Sequence, residues 1–253
     1  MNNDCAQFFF SIVIPARDEE KYIESVFNSI DAAKKKLKEY YPDISTEVVV
    51  ANNKSIDTTG EIAGKFADKV IYTEADSIAG VRNAGASAAS GRVLITIDAD
   101  SRMHPDTLIK IYSLINSTDI KAGCVWIKAY EHTPLIYTFI FFTVNFIFRL
   151  LNSGGGLYFC YLSDFQEIGG FNEKIFAAED LDFAGRIKKH LAGKKQKFRN
   201  ISGIPLRTSA RKIKFVKFSF LIKKTIKFLF VYKKMLYNKK EWDDFWYNTN
   251  KLR

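Results

Sequence analysis

The chain has 253 residues, of which 47% are hydrophobic and 26% charged, so it can form one globular domain with an appendage. Its three cysteines are odd in number and follow no pairing or ligand pattern, which argues against a disulfide framework or a zinc site and fits a reducing cytosol. The formal net charge of +10 arises from residues 186–253, with 21 Lys and Arg against 3 Asp and Glu, which argues against a uniformly nucleic-acid-binding protein.

The first half of the chain alternates between predicted strands and predicted helices. Short apolar or β-branched runs predict buried strands at Phe8–Pro15, Glu47–Ala51, Lys69–Tyr72 and Leu94–Asp100. Helical spacing or composition predicts helices at Ile23–Leu37, after Thr58 and at Ala79–Ser90. Pro15 is expected to end the first strand, and Thr58 with Glu61 fits a capping box. This alternation to about residue 117 predicts a Rossmann-like parallel sheet with crossover helices.

The second half contains further elements and one strongly apolar segment. Strands are predicted at Ala122–Ala129 and Leu157–Cys160, turns at Ser153–Gly156 and Gly169–Glu173, a short helix near Asp164, and a helix from Glu179 toward His190. The apolar segment Leu135–Leu151 has 17 residues and contains Asn145 and Arg149. It is shorter than the roughly 20 residues that cross a bilayer, so we expect a buried or interfacial helix.

Two carboxylates, Asp98 and Asp100, stand at the carboxyl end of the predicted strand Leu94–Asp100. The carboxyl ends of parallel strands face the ligand crevice of an open α/β sheet, so both acids are expected in a site. Two close carboxylates repel each other unless a cation neutralises them, and Mg²⁺ or Mn²⁺ prefers oxygen ligands. The alternative is a solvated loop or a helix cap, because His104–Asp106 has the composition of a helix start.

Six polar segments follow one another in order along residues 8–190. They are Ile14–Glu20, Asn52–Asp57, Arg82–Gly85, Asp98–Asp100, Gly169–Glu173 and Glu179–Asp180. Each is a weak signal alone, but together they resemble the family 2 glycosyltransferases, which are inverting, nucleotide-sugar-dependent enzymes. The resemblance implies an α/β GT-A fold, a Rossmann-like, mainly parallel sheet flanked by helices. That domain would span residues 1–210, with a basic amphipathic helical C-terminal tail at 211–253.

The resemblance also implies a role for each matched residue. Binding of the nucleotide diphosphate-sugar would fall to Pro15, Arg17, Asp18, Glu19, Asn52, Arg82, Asp98 and Arg211. Arg82 would hold nearby carboxylates or the diphosphate, and Arg211 would clamp the diphosphate unless it belongs to a surface charge cluster. Mg²⁺ or Mn²⁺ would bind mainly to Asp100, with Asp98 beside it. Asp180 would deprotonate the acceptor hydroxyl, with Glu179 next to it raising its pKa.

Two positions depart from the family pattern. Asn52 stands where an acid is usual, and its amide can donate as well as accept, so a preference for uridine is left open. No histidine follows His190, so the late histidine metal ligand of some relatives is missing. Two other functions are therefore weighed: a nucleotidyltransferase on a related α/β scaffold, and a non-catalytic nucleotide-sugar-binding protein. Retention of Asp100 and Asp180 argues against the second of these.

The C-terminal tail has the composition of a membrane-surface helix. Residues 213–236 place apolar side chains on one helical face and lysines on the opposite face. An anionic membrane surface is the expected partner, and the alternative is a helix docked on the body with solvated lysines. With Leu135–Leu151 the tail would frame a hydroxyl acceptor that is lipid-linked. Met1–Phe10 shows no secretory signal, so the expected location is cytoplasmic, on the inner membrane face.

Overall fold

The structure, a computed structural model, describes residues 8–129, 152–176 and 178–209, together with Phe142, Phe146 and Arg149. The first half contains β1 (Phe8–Ala16), α1 (Ile23–Tyr40), β2 (Thr46–Asn53), α2 (Thr59–Phe66), β3 (Lys69–Thr73), α3 (Ile78–Ser87) and β4 (Gly91–Ile97). The second half contains β5 (Ser101–Arg102), α4 (Thr107–Ser117), β6 (Ile120–Ala129), β7 (Leu157–Tyr161), α5 (Leu162–Glu167), α6 (Glu179–Gly193) and β8 (Lys197–Thr208).

The strands of the described residues form one sheet in the order β3-β2-β1-β4-β7-β6-β8-β5. The first four strands pair in parallel through three crossover helices, which confirms the predicted Rossmann-like half. β7 then pairs antiparallel with β4 and with β6, whereas β6 and β8 are parallel. The sheet is therefore mainly parallel at one side and mixed at the other.

Helices cover both faces of this sheet because side chains alternate along each buried strand. On β1, Ile12 and Ile14 join a core with α1 and α4, whereas Val13 faces the core built with α3 and α6. All three residues are fully buried. The continuous apolar runs of the sequence are the pattern that a strand with two buried faces requires.

Close packing of α3 on this sheet depends on Gly85. A Cβ at this position would lie 2.4 Å from Cγ1 of Val13, closer than real side chains approach. The helix can approach the strand only because residue 85 has no side chain. The strand at Val13 and the last turn of α3 are thereby held at a fixed separation.

Three local predictions are wrong in detail. β1 continues through Pro15 to Ala16, because its pairing with β4 already ends at Val13 while its pairing with β2 continues. β4 ends at Ile97, so the two acids follow the strand instead of belonging to it. The capping box does not form: the Thr58 side chain accepts no capping hydrogen bond, and Glu20 Oε2, in place of Glu61, accepts from the Thr58 N–H at 3.2 Å and from the Thr58 hydroxyl at 2.9 Å.

Most of Leu135–Leu151 and all of the predicted tail lie outside the described residues. Of the apolar segment, Phe142 and Phe146 are described and are 68% and 52% exposed. The Arg149 guanidinium lies 5.7 Å from the centre of the Trp126 ring. Among the residues that the structure describes, no helix combines the length and apolarity needed to cross a membrane.

Candidate active site

The carboxyl ends of β1, β2 and β4 meet at one edge of the sheet and carry most of the predicted site residues. Pro15 lies in β1, Asn52 lies near the end of β2, and Asp98 and Asp100 follow β4 directly. Because these strands are parallel and adjacent, their ends face the same crevice. Asn52 and Asp100 are buried, and Asp98 is partly exposed.

Arg82 on α3 links this edge to the start of α6. Its guanidinium donates to Glu179 Oε1 at 2.6 Å and to Asp98 Oδ1 at 2.7 Å. Burial alone would lower the pKa of Arg82, but the charges of Asp98 and Glu179 outweigh it and raise that pKa. The guanidinium also lies 5.3 Å from the centre of the Phe171 ring. Arg82 was expected to bind either nearby carboxylates or the diphosphate, and in the structure it binds the Asp98 and Glu179 carboxylates.

Asn83, the next residue, fixes the glycine turn that precedes α6. Its amide donates to the Phe171 carbonyl at 2.9 Å, and its Oδ1 accepts from the Phe171 N–H at 2.9 Å. It also donates to Glu173 Oε1 at 2.8 Å. Gly170 has a φ of +66°, and a Cβ there would lie 2.6 Å from Asn83 Oδ1. The third and fifth polar segments, Arg82–Gly85 and Gly169–Glu173, are therefore one hydrogen-bonded unit.

Asp180 lies in the first turn of α6, one residue after Glu179. Burial, and then the negative charge of Glu179, raises the pKa of Asp180 to about 7. Its Oδ1 accepts from the Leu181 N–H at 2.9 Å. A carboxyl with a pKa near neutrality can both take up and release a proton under physiological conditions, as a general base requires.

Tyr158 on β7 is a site residue that sequence reasoning missed. Its hydroxyl lies 3.4 Å from Asp180 Oδ2 and accepts from the Gly154 N–H at 3.0 Å. Burial and the charge of Asp180 raise the pKa of Tyr158. The residue sits within an apolar run that reads only as a strand, so nothing in the sequence distinguishes it from a core tyrosine.

The loops after β1 and β2 are cross-linked to each other. Asp18 Oδ1 accepts from the Ile56 N–H at 2.9 Å, and the Asp18 N–H donates to Ser55 Oγ at 3.1 Å. The Glu19 N–H donates to Thr59 Oγ1 at 2.7 Å. Asp18 has a φ of +52°, a left-handed conformation that Asp tolerates better than most residues. These bonds give Asp18 a role in shaping the crevice, and direct contact of Asp18 or Glu19 with a ligand stays a prediction.

Asn52 is held between these loops and α2. Its Oδ1 faces the Ser55 N–H at 3.3 Å. A Cβ on Gly60 would lie 2.8 Å from Asn52 Nδ2 and 3.5 Å from the Tyr72 hydroxyl, so Gly60 leaves the room that the amide occupies. The amide thus stands at the strand end with its donor group directed toward the start of α2.

The end of β8 lies against the two acids after β4. The Ser209 N–H donates to the Asp100 carbonyl at 3.2 Å, and the Ser101 hydroxyl donates to Thr208 Oγ1 at 3.1 Å. Carboxylate oxygens at Asp98 and Asp100 are the donor type that Mg²⁺ or Mn²⁺ prefers, so the residues fit such an ion. Asp98 gives one carboxylate oxygen, Oδ1, to Arg82. Arg211 lies outside the described residues.

A second acidic cluster lies at the opposite end of the sheet. Asp164, Glu167 and His190 bring three possible ligand atoms within 4.8 Å of one another. Lys194 Nζ contacts the Asp164 and Glu167 carboxylates at 2.7 and 3.0 Å, so a protein cation already binds both carboxylates. β7 runs antiparallel to β4, which places α5 away from Asp98. This cluster is therefore separate from the candidate active site.

Comparison with known families agrees with this geometry. The model of the family described as glycosyl transferase family 2 matches residues 11–163, more than half of the chain. Glycosyltransferase AglE of Haloferax volcanii is 30% identical over 118 residues, covering 44% of this chain and 37% of the relative. Dolichol-phosphate mannosyltransferase of Pyrococcus furiosus is 31% identical over 124 residues, covering 47% and 33%. The chain thus spans about a third of the length of these curated relatives.

Solved structures share the fold. The structure of Staphylococcus aureus TarS 1-349 in complex with UDP matches with a TM-score of 0.57 and 18% identity, covering 81% of this chain and 62% of that one. The mannosyltransferase PcManGT of Pyrobaculum calidifontis, in complex with GDP-Man and Mn²⁺, matches with a TM-score of 0.59 and 18% identity, covering 79% and 56%. These likenesses confirm the expected GT-A architecture.

Proposed function

The chain belongs to glycosyl transferase family 2, and from this premise we propose that it is an inverting glycosyltransferase. It would move a sugar from a nucleotide diphosphate-sugar to an acceptor hydroxyl. The observation that best supports this proposal is the Arg82 bridge between Asp98 and Glu179, which joins the ends of the parallel strands to the turn that bears Asp180. The proposed donor site and the proposed general base are thereby linked through one side chain.

Donor binding falls to the crevice between the first two loops. Asn52 at the end of β2 is the candidate for binding the nucleobase of the donor. Pro15, Arg17 and Glu19 lie beside it on the β1 side. The hydrogen bonds between these loops fix the walls of the crevice, so little ordering is required when the donor binds. Complexes of relatives contain UDP, UDP-GlcNAc or GDP-Man, which are donors or donor products of the proposed type.

The diphosphate is the most charged part of such a donor and needs cationic partners. Asp100, with Asp98, would hold Mg²⁺ or Mn²⁺, and the bound ion would neutralise the leaving diphosphate as a Lewis acid. Arg211 is the second candidate, because it follows Ser209 by two residues and Ser209 is bonded to the Asp100 backbone.

Asp180 serves as the base for inversion. One Asp180 carboxylate oxygen takes the acceptor's hydroxyl proton while the acceptor oxygen forms a bond to the anomeric carbon of the sugar. The bond between that carbon and the diphosphate oxygen breaks, and its electron pair leaves with the nucleoside diphosphate. Arg82 holds the neighbouring Glu179 in place by an ion pair. After burial, the negative charge of Glu179 is the main cause of the raised pKa of Asp180, and the positive charge of Arg82 opposes it.

The acceptor would lie at an anionic membrane surface. Phe142 and Phe146 are large apolar side chains exposed one helical turn apart, and residues 186–253 supply the excess of basic charge. Both features favour a lipid-linked hydroxyl as acceptor. The full-length Phe142→Ser/Phe146→Ser variant should then bind phosphatidylglycerol vesicles less than the parent in a sedimentation assay. Equal sedimentation of both proteins would remove this part of the proposal.

The Asp180→Asn variant tests the catalytic proposal. Release of nucleoside diphosphate from UDP-GlcNAc, UDP-glucose or GDP-mannose is measured with Mn²⁺, with water as the acceptor when no other is supplied. We expect the variant to keep less than about 1% of the parent rate, since a general base contributes 10²–10⁴-fold, while its affinity for the matching nucleoside diphosphate is unchanged. A variant that releases the diphosphate at the parent rate would refute the assignment of the base.

A further inference from the structure

Tyr158 stands between the base and a glycine-rich loop, and neither the family motifs nor the mechanism above uses it. It lies on β7 and is only 4% exposed. Its hydroxyl contacts the Gly154 N–H at 3.0 Å and Asp180 Oδ2 at 3.4 Å. Donor and acceptor can therefore be assigned in each of these two contacts.

The direction of both hydrogen bonds follows from the groups involved. The Gly154 N–H can only donate, so the tyrosine oxygen accepts from it and keeps its own proton for another partner. An ionised carboxylate can only accept, so Tyr158 must be the donor to Asp180. The distance of 3.4 Å is long for an O–H···O bond, and catalytic hydrogen bonds of this kind shorten when substrate binds.

The two oxygens of Asp180 are thereby held from different sides. Oδ1 accepts from the Leu181 N–H within α6, and Oδ2 faces the Tyr158 hydroxyl on the sheet. A carboxylate held at both oxygens cannot rotate freely about its Cβ–Cγ bond. Each oxygen has two lone pairs, so Oδ2 keeps one for the acceptor proton.

The other end of this contact lies close to the donor site. Gly154 begins a glycine run whose third member, Gly156, would place a Cβ 3.4 Å from Asp98 Oδ2. Gly155 has a φ of +122°, and a Cβ there would lie 2.1 Å from the Val125 carbonyl, so this loop is pressed onto the sheet. The short segment Ser153–Gly156 therefore runs from the Tyr158 hydroxyl to the carboxylate that Arg82 holds.

We infer that Tyr158 is a positioning residue, whose hydroxyl orients the Asp180 carboxylate toward the acceptor and fixes its distance from the donor site through the Ser153–Gly156 loop. The inference rests on the proposed function, because it requires Asp180 to act as the base. It predicts a loss in the chemical step and no loss in donor binding.

The ring of Tyr158 can be separated from its hydroxyl. The ring packs edge-on against Phe183 at 5.8 Å and near Phe198 at 6.5 Å between centroids. Tyr158→Phe keeps these contacts and removes only the oxygen. Tyr161→Phe is the matched control, since it removes a hydroxyl from the same strand at the end remote from Asp98, where Tyr161 pairs with Val93.

The experiment measures kcat and the donor KM for nucleoside diphosphate release by the full-length parent, Tyr158→Phe, Tyr161→Phe and Asp180→Asn, with Mn²⁺. We expect Tyr158→Phe to lower kcat about tenfold, the size of one well-placed hydrogen bond, with the donor KM within about twofold of the parent. Tyr161→Phe should match the parent in both constants. 3-Fluorotyrosine at position 158, which restores ring and hydroxyl together, should return kcat to within about twofold of the parent.

The outcomes separate the two proposals. Parental kcat in Tyr158→Phe, with Asp180→Asn inactive, refutes the role of Tyr158 and leaves the proposed function intact. Parental activity in Asp180→Asn refutes the proposed function itself. A Tyr158→Phe defect that appears only in KM, or one that 3-fluorotyrosine fails to restore, would mean that the residue has a packing role and would overturn the inference.

Discussion

The raised pKa of Asp180 predicts that this carboxyl destabilises the folded protein at neutral and alkaline pH. The folded protein holds the proton up to about pH 7, whereas the unfolded chain releases it near 3.8, so stability from this group is lost as pH rises through that window. For these two values the free energy of unfolding should fall by about 2.5 kcal/mol between pH 5 and pH 8 through Asp180 alone. Asp180→Asn removes this dependence.

Urea unfolding of the parent and Asp180→Asn at pH 5 and pH 8 measures the effect. The variant should gain about 2.5 kcal/mol relative to the parent on going from pH 5 to pH 8, an upper value because Asp180 is partly exposed. Asp182→Asn is the matched control, since it removes the same charge from the same helical turn. If the stability difference between Asp180→Asn and the parent is the same at both pH values, the pKa of Asp180 is not raised in the folded protein and the reasoning is refuted.

Two further substitutions test the packing that holds the site. Gly85→Ala should destabilise the protein by about 1–3 kcal/mol in urea unfolding, because its Cβ would overlap Val13; wild-type stability would show that α3 can shift. Arg82→Met should cost about 3–5 kcal/mol in the same measurement, because it leaves the Asp98 and Glu179 carboxylates without their partner. A cost below about 1 kcal/mol would mean that water replaces the guanidinium freely.

Local patterns predicted the strands and helices of the first half well, because both faces of a parallel strand are buried and leave continuous apolar runs. Contacts between distant residues were harder to predict. The capping box was wrong because Glu20, 38 residues away in sequence, accepts from the Thr58 N–H that Glu61 would have bonded, and no local pattern indicates this contact. The contact between Arg82 and Glu179 joins residues 97 apart, and only the order of the motifs suggested it.

Tyr158 had no sequence signal of any kind. Tyr158 lies among apolar residues of β7, and its proposed role depends on the loop and the helix that pack against its hydroxyl. Asn52 was recognised as a departure from the family pattern, but the sequence could not reveal that Gly60 makes room for its amide. Motif order thus indicated which residues meet, and the structure supplied their hydrogen bonds.

The most direct test of the account is the thermal stability of the parent, Asp100→Asn and Asp180→Asn with UDP, GDP, CDP or ADP, each with and without Mn²⁺. A bound ligand raises the melting temperature by mass action. We predict that at least one nucleoside diphosphate stabilises the parent and Asp180→Asn in the presence of Mn²⁺, and that Asp100→Asn loses this response. Stabilisation of Asp100→Asn equal to that of the parent, or no response of the parent to any nucleotide with Mn²⁺, would contradict a metal-held diphosphate at this edge of the sheet.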